Sequence, residues 1–523
     1  MTVLDYHDRS KHRLERYAPG PGYLDWANQP DPFRSYRGAP RLALPLGGDD
    51  PDTSFAQLRA GRLPPPAPLD LRHVGILFEL SLGLSAWKEY RGVRWALRCN
   101  PSSGNLHPTE AYVITPSLPR LEAGVWHYLS RDHCLEQRAR LAREPGPGLW
   151  VVLTSIHWRE AWKYGMRAYR YCQHDCGHAI AAVAYGAACL GWQVRVAWQA
   201  GDAHIAALAG LDRDEDFAGA EAEAPDVLLG LGLPGQPRPD YRPLASCLEA
   251  ARWQGRANRL SEQHVDWPDI ERVAAAAAKP ATAEADACPE AAPPRHDWPP
   301  AMNAANLIRR RRSAVDFDGR TVMDAPDFFR LLAALLPSAA PPWSAWCQPP
   351  RVHLALFVHR VAGLEPGLYC LVREAAARDG LRAAMRPDWL WQPCGPDGLP
   401  LYLLLPHDLR QVAKLVSCHQ DIAADSCFSL GMLACFDDVA REPWRYRRLF
   451  WECGLIGQVL YLEAEAVGLR GTGIGCFFDE EMHRLLGLAD GRWQSLYHFT
   501  VGGPVEDGRL TTLPPYPTTR RDL

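Results

Sequence analysis

The sequence predicts two fused α+β domains of common origin, and three observations predict it. Residues 149–170 (LWVVLTSIHWREAWKYGMRAYR) and 426–447 (SCFSLGMLACFDDVAREPWRYR) run in step without a gap, 277 positions apart (426 less 149). The register continues: Asp175-Cys176-Gly177 meets Glu452-Cys453-Gly454, and in each copy a glycine, Gly191 or Gly468, follows 14 residues later beyond a helix-forming stretch. Apolar strands alternate in both halves with segments of helical period, which argues for a central mixed sheet with flanking helices. So long a spacing is no solenoid repeat, whose units are about 20–50 residues. A fused pair has an internal interface, and small ligands favour such interfaces.

Composition agrees. The 523 residues are 47% hydrophobic and 23% charged, with a net charge of -4, an ordinary soluble-enzyme balance that gives no reason to expect nucleic acid or an anionic membrane as partner. No stretch reaches the length of a membrane span. The 15 cysteines are scattered without a Cys-x-x-Cys pair, and the N-terminus is charged where a signal peptide is apolar. The reading is free thiols in a reducing cytoplasm.

In chain order, residues 1–45 are polar, aromatic and proline-punctuated, an extended arm suited to wrapping a neighbour. Domain one is 46–259, opening with a mobile Gly/Pro/Asp loop over 46–72. An Ala/Pro-rich linker spans 260–302, with little in 272–300 to bury a core. Domain two is 303–523. Val151–Ser155, Val352–Val358 and His498–Val501 read as strands, and Ala179–Leu190 and Leu455–Val467 as helices. The second of these is apolar nearly all round apart from Glu463 and Glu465, which marks a buried central helix.

Three clusters carry chemistry. Arg310-Arg311-Arg312-Ser313, with Arg509 near the end of the same domain, offers guanidinium forks and a hydroxyl suited to a phosphate monoester. PSSGNLHPTEAY (101–112) makes a stiff turn whose amides and hydroxyls can bond the rim of a polar ring. GLRGTGIGCF (468–477), a glycine-bearing turn after a buried helix, lets backbone approach a flat ligand and present an amide from Gly475 or Cys476. Its spacing is not the dinucleotide fingerprint. Cys172-Gln173-His174-Asp175-Cys176-Gly177-His178 invites a metal reading, but on a helix the cysteines and histidines point apart, so packing is expected and metal is not. Cys418-His419 stands isolated.

The order of these clusters, closed by a Val-Gly-Gly-Pro strand, resembles the nitroreductase superfamily of FMN-dependent oxidoreductases, and within it the SagB/ThcOx-type dehydrogenases that oxidise azolines in ribosomal peptides. The resemblance covers most of residues 75–245 and 303–516. It implies an intertwined pair with FMN at the interface, here an intramolecular pseudo-dimer able to act as a monomer. Arg311, Arg312, Ser313, Arg509, Gly475 and Cys476 would grip the flavin, and Pro101, Ser102, Ser103 and Asn105 would cap it. A Lys163-Tyr164 pair matches the one with a proposed proton-transfer role, and a lysine with a pKa lowered by burial could serve. Ser344–Gln348 (SAWCQ) stands where the second cap should be, so the reciprocal site, with Arg34-Ser35-Tyr36-Arg37 as its phosphate grip, would be degenerate and one FMN site would work. The resemblance leaves open an NAD(P)H-dependent reductase of nitro groups, quinones or enones, with NAD(P)H or O2 as redox partner. A non-catalytic peptide-binding scaffold is the rival from another class. The expected substrate is a small molecule or a modified peptide.

Overall fold

The computed structural model describes residues 1–236, 239–289, 291 and 302–517. Two sheets carry the fold, and their strand orders match. In domain one the path runs Arg252–Trp253, Cys134–Arg140, Gly124–Leu129, Thr109–Thr115, Leu149–Ser155, Ala224–Gly232, Gln193–Val196. In domain two it runs Gln392–Cys394, Leu401–Pro406, Gly367–Leu371, Val352–Val358, Phe428–Cys435, Trp493–Gly502, Arg470–Ile474. Leu229 opposite Val151 and Val501 opposite Phe428 hold the same place in the two registers. The α+β class stands, but these ladders are antiparallel throughout rather than mixed.

Each sheet is covered by a 22-residue helix, Ala168–Cys189 in domain one and Arg445–Ala466 in domain two, and the two helices pack on each other. Both are buried along nearly their whole length, so their small and apolar residues face partners on every side. The exceptions in the sequence are paired: Glu463 with Arg59 at 2.6 Å and Glu465 with Arg310 at 3.3 Å. A continuous core therefore runs through both domains.

The termini are exchanged. The arm starts as the helix Val3–Arg9 rather than as extended chain, capped by Thr2, and it lies on domain two, where His7 bonds Tyr446 and Gln494 at 3.1 Å. In return, Thr511–Leu513 pairs with the hairpin strand Leu84–Tyr90 of domain one, and the buried Tyr516 hydroxyl accepts from the Leu84 amide at 2.7 Å.

Three expectations need correction. Residues 46–72 contain the helix Phe55–Arg59, because Phe55 and Leu58 are buried in the shared core. The expected linker opens with the helix Pro268–Ala276, whose Ile270 and Val273 are buried too. The thiols are not all free: Cys288 and Cys347 form a disulfide that ties this segment to domain two. Among the described residues no helix is long and apolar enough to cross a membrane.

Candidate functional site

A cavity of about 280 Å³ lies between the domains, near the lower end of small-ligand sites. Domain one lines it with Pro101, Ser102, Ser103, Gly104, Tyr164, Tyr171, Asp175 and His178; domain two lines it with Ser313, Tyr461, Thr472 to Cys476 and Tyr497. The 101–105 turn is held open by left-handed residues, Gly104 at φ 57° and Asn105 at φ 59°. Asparagine tolerates that region better than most residues. Asn105 does not line the cavity; its side chain donates to the Ala96 carbonyl at 2.9 Å and fixes the turn.

Asp175, on the central helix, anchors the same turn. The Ser103 amide and hydroxyl donate to its carboxylate at 3.0 and 2.9 Å. Those bonds favour the ionised form, but burial outweighs them and raises its pKa to about 7. A carboxyl that changes charge near neutrality on a cavity wall is suited to proton transfer. Sequence reasoning used Asp175 as a repeat marker and as part of the Cys172–His178 run, and not as a cavity group, because nothing local announces its burial.

Tyr164 ends the helix His157–Tyr164 and reaches the cavity, packed edge-on to Tyr171 at 4.6 Å. Its neighbour Lys163 is half-buried beside the turn, with Nζ 3.2 Å from where a Cβ on Gly104 would stand. Lys163 does not line the cavity itself, whereas Asp175 and Tyr164 do.

The 470–474 segment is a strand at the sheet edge, not a turn. Its glycines make room for tyrosines: a Cβ on Gly473 would overlap the Tyr497 hydroxyl, and one on Gly475 would overlap the Tyr171 ring. Ser313 donates to the Tyr461 hydroxyl at 3.0 Å, which in turn accepts from the Gly473 amide at 3.0 Å.

Beyond Ser313 lies a cationic patch in which Arg470 pairs with Glu506 at 2.6 Å while Arg311 and Arg312 have no carboxylate partner among the described residues. Arg311 is buried and donates to the carbonyls of Cys99 and Arg98, while its Nη1 has no partner. Arg312 donates to Ser85 and to backbone carbonyls. Among the described residues neither has a carboxylate within ion-pair distance, and burial together with Arg311 lowers Arg312 to about 10. Lys88 is lowered as well, by burial and then by Arg312 and Arg470. An anion would relieve all of these, so the residues fit a flat ring carrying a phosphate tail. Lys88 and Arg470 were missed because hairpin and edge strand meet only in the fold. Arg509 stands apart from the cavity wall, exposed and paired with Asp507 at 2.7 Å.

The matching position on the other side is filled. Arg195 opposite Gly230 corresponds to Arg470 opposite Gly502, so three residues on Trp198 stands where domain two has Gly473. The Trp198 indole is buried, donates to the Trp346 carbonyl at 2.8 Å and lies under the Arg448 guanidinium at 4.1 Å. Arg448 is also held by Glu284 at 2.5 and 2.7 Å, and the Thr282 amide donates to the Gln199 carbonyl at 3.1 Å, so the inter-domain segment occupies this space. The expectation for Arg34 fails: it is fully buried inside domain one, bonded to Glu223 at 2.9 Å, and faces no cavity. Cys418 is not isolated either, since its loop packs on the 476–478 segment, where the Gln420 amide donates to the Cys476 carbonyl at 2.9 Å and the Phe478 amide to the Val416 carbonyl at 2.8 Å.

Comparison with known proteins places this geometry. Residues 308–503 match the model of the nitroreductase family. The match lies within domain two and spans most of it. The whole chain superposes on a protein of Anabaena variabilis assigned as a nitroreductase, with a TM-score of 0.70 and 20% identity over 96% of this chain and 99% of that one, so domain one shares the nitroreductase fold. A Ralstonia eutropha protein assigned likewise covers 42% of this chain and 90% of its own (TM-score 0.29, 16% identity). The Escherichia coli microcin synthetase McbBCD complex with truncated pro-MccB17 bound covers 45% of this chain and 92% of its own (TM-score 0.28, 20% identity). No curated protein matches the sequence. The tandem nitroreductase-type chain is thus an oxidoreductase.

Proposed function

We propose that the inter-domain cavity binds one FMN per chain and that the enzyme dehydrogenates an organic substrate of the azoline type, such as a thiazoline or oxazoline ring in a modified peptide. The observation behind this reading is the proton-handling wall opposite the glycine strand: Tyr164 and the near-neutral Asp175, beside Lys163. Aromatising an azoline removes a hydride and a proton, so the site needs an acceptor for each.

When bound, FMN supplies the two-electron acceptor. Arg311 and Arg312 would hold its phosphate with Ser313 beside them, and the Gly473 to Cys476 backbone would lie along its ring. The 101–104 turn, which lines the cavity from domain one, would cover the ring and exclude water. Asp175, ionised above about pH 7, would take the substrate proton directly or through the Ser103 hydroxyl, while Tyr164 orients the ring nitrogen or oxygen.

The test is anaerobic bleaching of the visible flavin band. Bleaching by a thiazoline- or oxazoline-bearing peptide, with none by NADH or NADPH, supports the reading. Bleaching by NAD(P)H alone points to a reductase of nitro groups, quinones or enones. Failure to retain flavin even in excess FMN leaves the non-catalytic scaffold. A cytoplasmic setting belongs to the same proposal, drawn from the mostly free thiols; the Cys288–Cys347 bond is the observation that counts against it.

A further inference from the structure

We propose that Cys476 and Cys418 form a peroxide-oxidisable dithiol in the wall of the inter-domain cavity, with Cys476 as the reacting thiolate and Cys418 as its resolving partner. The two are 58 positions apart in sequence (476 less 418). The fold joins them: Cys476 lines the cavity, Gln420 from the Cys418 loop lines it too, and the Gln420 amide donates to the Cys476 carbonyl at 2.9 Å. The Phe478 amide also donates to the Val416 carbonyl at 2.8 Å, so these two bonds bracket Cys418 opposite Cys476, and the loop turns there through two non-glycine residues in the uncommon left-handed region, Cys418 at φ 54° and His419 at φ 60°. Both thiols are half-buried rather than sealed in the core, so a small oxidant reaches them.

The exchanged N-terminal arm completes the cluster. His12 pairs with Phe478 as a β-bridge, and its amide donates to Asp479 at 3.0 Å. The Ala18 amide donates to His12 Nδ1 at 2.9 Å, so the neutral ring carries its proton on Nε2. That leaves the Nε2 proton as the donor His12 can offer to the neighbouring Cys476 sulfur. Arg167, from domain one, donates to the Gly475 carbonyl at 3.1 Å and adds positive charge beside the thiol. The other titratable groups facing the pair are Tyr17 beside Cys418, Tyr164 and Tyr171 across the cavity, and Asp479, neutralised by Arg167 and Arg170. The His12 ring and the Arg167 charge lie on the Cys476 side of the pair and favour the thiolate there, which makes Cys476 the attacking sulfur and Cys418 the resolving one.

The reaction balances with a peroxide as oxidant. The Cys476 thiolate attacks one peroxide oxygen, the O–O bond breaks, and the leaving hydroxide takes a proton to become water. The Cys418 sulfur then attacks the Cys476 sulfenic acid, the S–O bond breaks, and the second water leaves with the Cys418 proton. Two thiols lose two electrons and hydrogen peroxide becomes two waters. The product ties the 417–420 loop to the cavity wall. None of this rests on the flavin reading.

The experiment uses the full-length protein and hydrogen peroxide. Peptide mapping is expected to show one new link, Cys418 to Cys476, with Cys288–Cys347 unchanged. In C418S, dimedone is expected to trap a sulfenic acid on Cys476. Iodoacetamide should modify Cys476 at least about ten-fold faster than the equally half-buried Cys435 at pH 6, and H12N should remove most of that advantage. A new link through other cysteines, no dimedone adduct in C418S, or equal alkylation of Cys476 and Cys435 would each overturn the proposal.

Discussion

Gly177 and Gly454 lie against each other where the two central helices cross, 277 positions apart and at matching places in the repeat. A Cβ on Gly454 would stand 2.7 Å from the Gly177 α-carbon and 2.7 Å from the His178 amide nitrogen, both backbone atoms that cannot swing away. The pseudo-two-fold relation of the domains passes through this contact. Gly454→Ala is therefore expected to destabilise the chain by about 1–3 kcal/mol through overpacking, in denaturant unfolding. Gly380→Ala, in the exposed helix Arg378–Ala384 with nothing within 4 Å of the added carbon, is the control and should stabilise by about 0.5–1 kcal/mol. Equal effects would contradict the crossing geometry.

The Arg311–Arg312 patch predicts where a phosphate is held. Either Arg→Ala change removes charge-assisted bonds of about 1.5–3 kcal/mol, so FMN affinity should fall about 10- to 100-fold by equilibrium dialysis. Arg509→Ala, at the exposed Asp507 pair, should leave it within about two-fold. An Arg509 effect as large as that of Arg312 would restore the sequence expectation for that residue.

What the sequence made legible, and what it hid, follows one physical line. The duplication was visible because the central helix and its preceding strand tolerate no insertions: each residue faces a neighbour. The 101–104 turn and the Gly475-Cys476 edge were visible because unusual backbone needs unusual residues. Arg34 was misplaced because its decisive partner, Glu223, lies 189 positions away, and an arginine run looks alike whether it meets a phosphate or a buried carboxylate. Asp175 was overlooked because its character comes from burial beneath Ser103, which no local pattern encodes.

Asp175→Asn separates chemistry from stability. The wild-type carboxyl must be ionised to accept a proton, so turnover should fall as pH drops through about 7, and D175N should lower kcat by about 10²- to 10⁴-fold. Stability moves the other way. Between the ordinary carboxyl range near pH 4 and about pH 7 the folded protein keeps a proton that the unfolded chain releases, so wild-type stability falls with rising pH across that window. D175N, which keeps an acceptor for Ser103, should lose that slope in urea titrations while remaining folded.

His127 gives a pH effect of opposite sense, remote from the cavity. It is buried between Glu110 at 2.9 Å and Glu136 at 3.0 Å; burial disfavours its charge, but these partners win and raise it to about 9. The folded pKa lies above the unfolded value of 6.5, so its contribution to stability is complete below about pH 6.5 and is lost as pH rises through 9. Urea unfolding of the wild type should show that decline, and H127Q should flatten it. A wild-type profile without slope between pH 6.5 and 9 would show that the imidazole is neutral in the fold.

Trp198 fills the space a second flavin would need. It stands where domain two has Gly473, covered by Arg448 and by the segment through Glu284, so acid-released FMN should count one per chain. Trp198→Gly empties the space of one buried indole, and the cost should be about 3–5 kcal/mol because Arg448 and Trp346 lose their packing partner. The flavin count should nevertheless stay at one, since Arg34 is committed to Glu223 and Ser344–Gln348 offers no Pro-Ser-Ser turn. A count of two in the wild type would show that the 279–288 segment yields to a ligand; a count of two only in W198G would make the indole the sole obstacle.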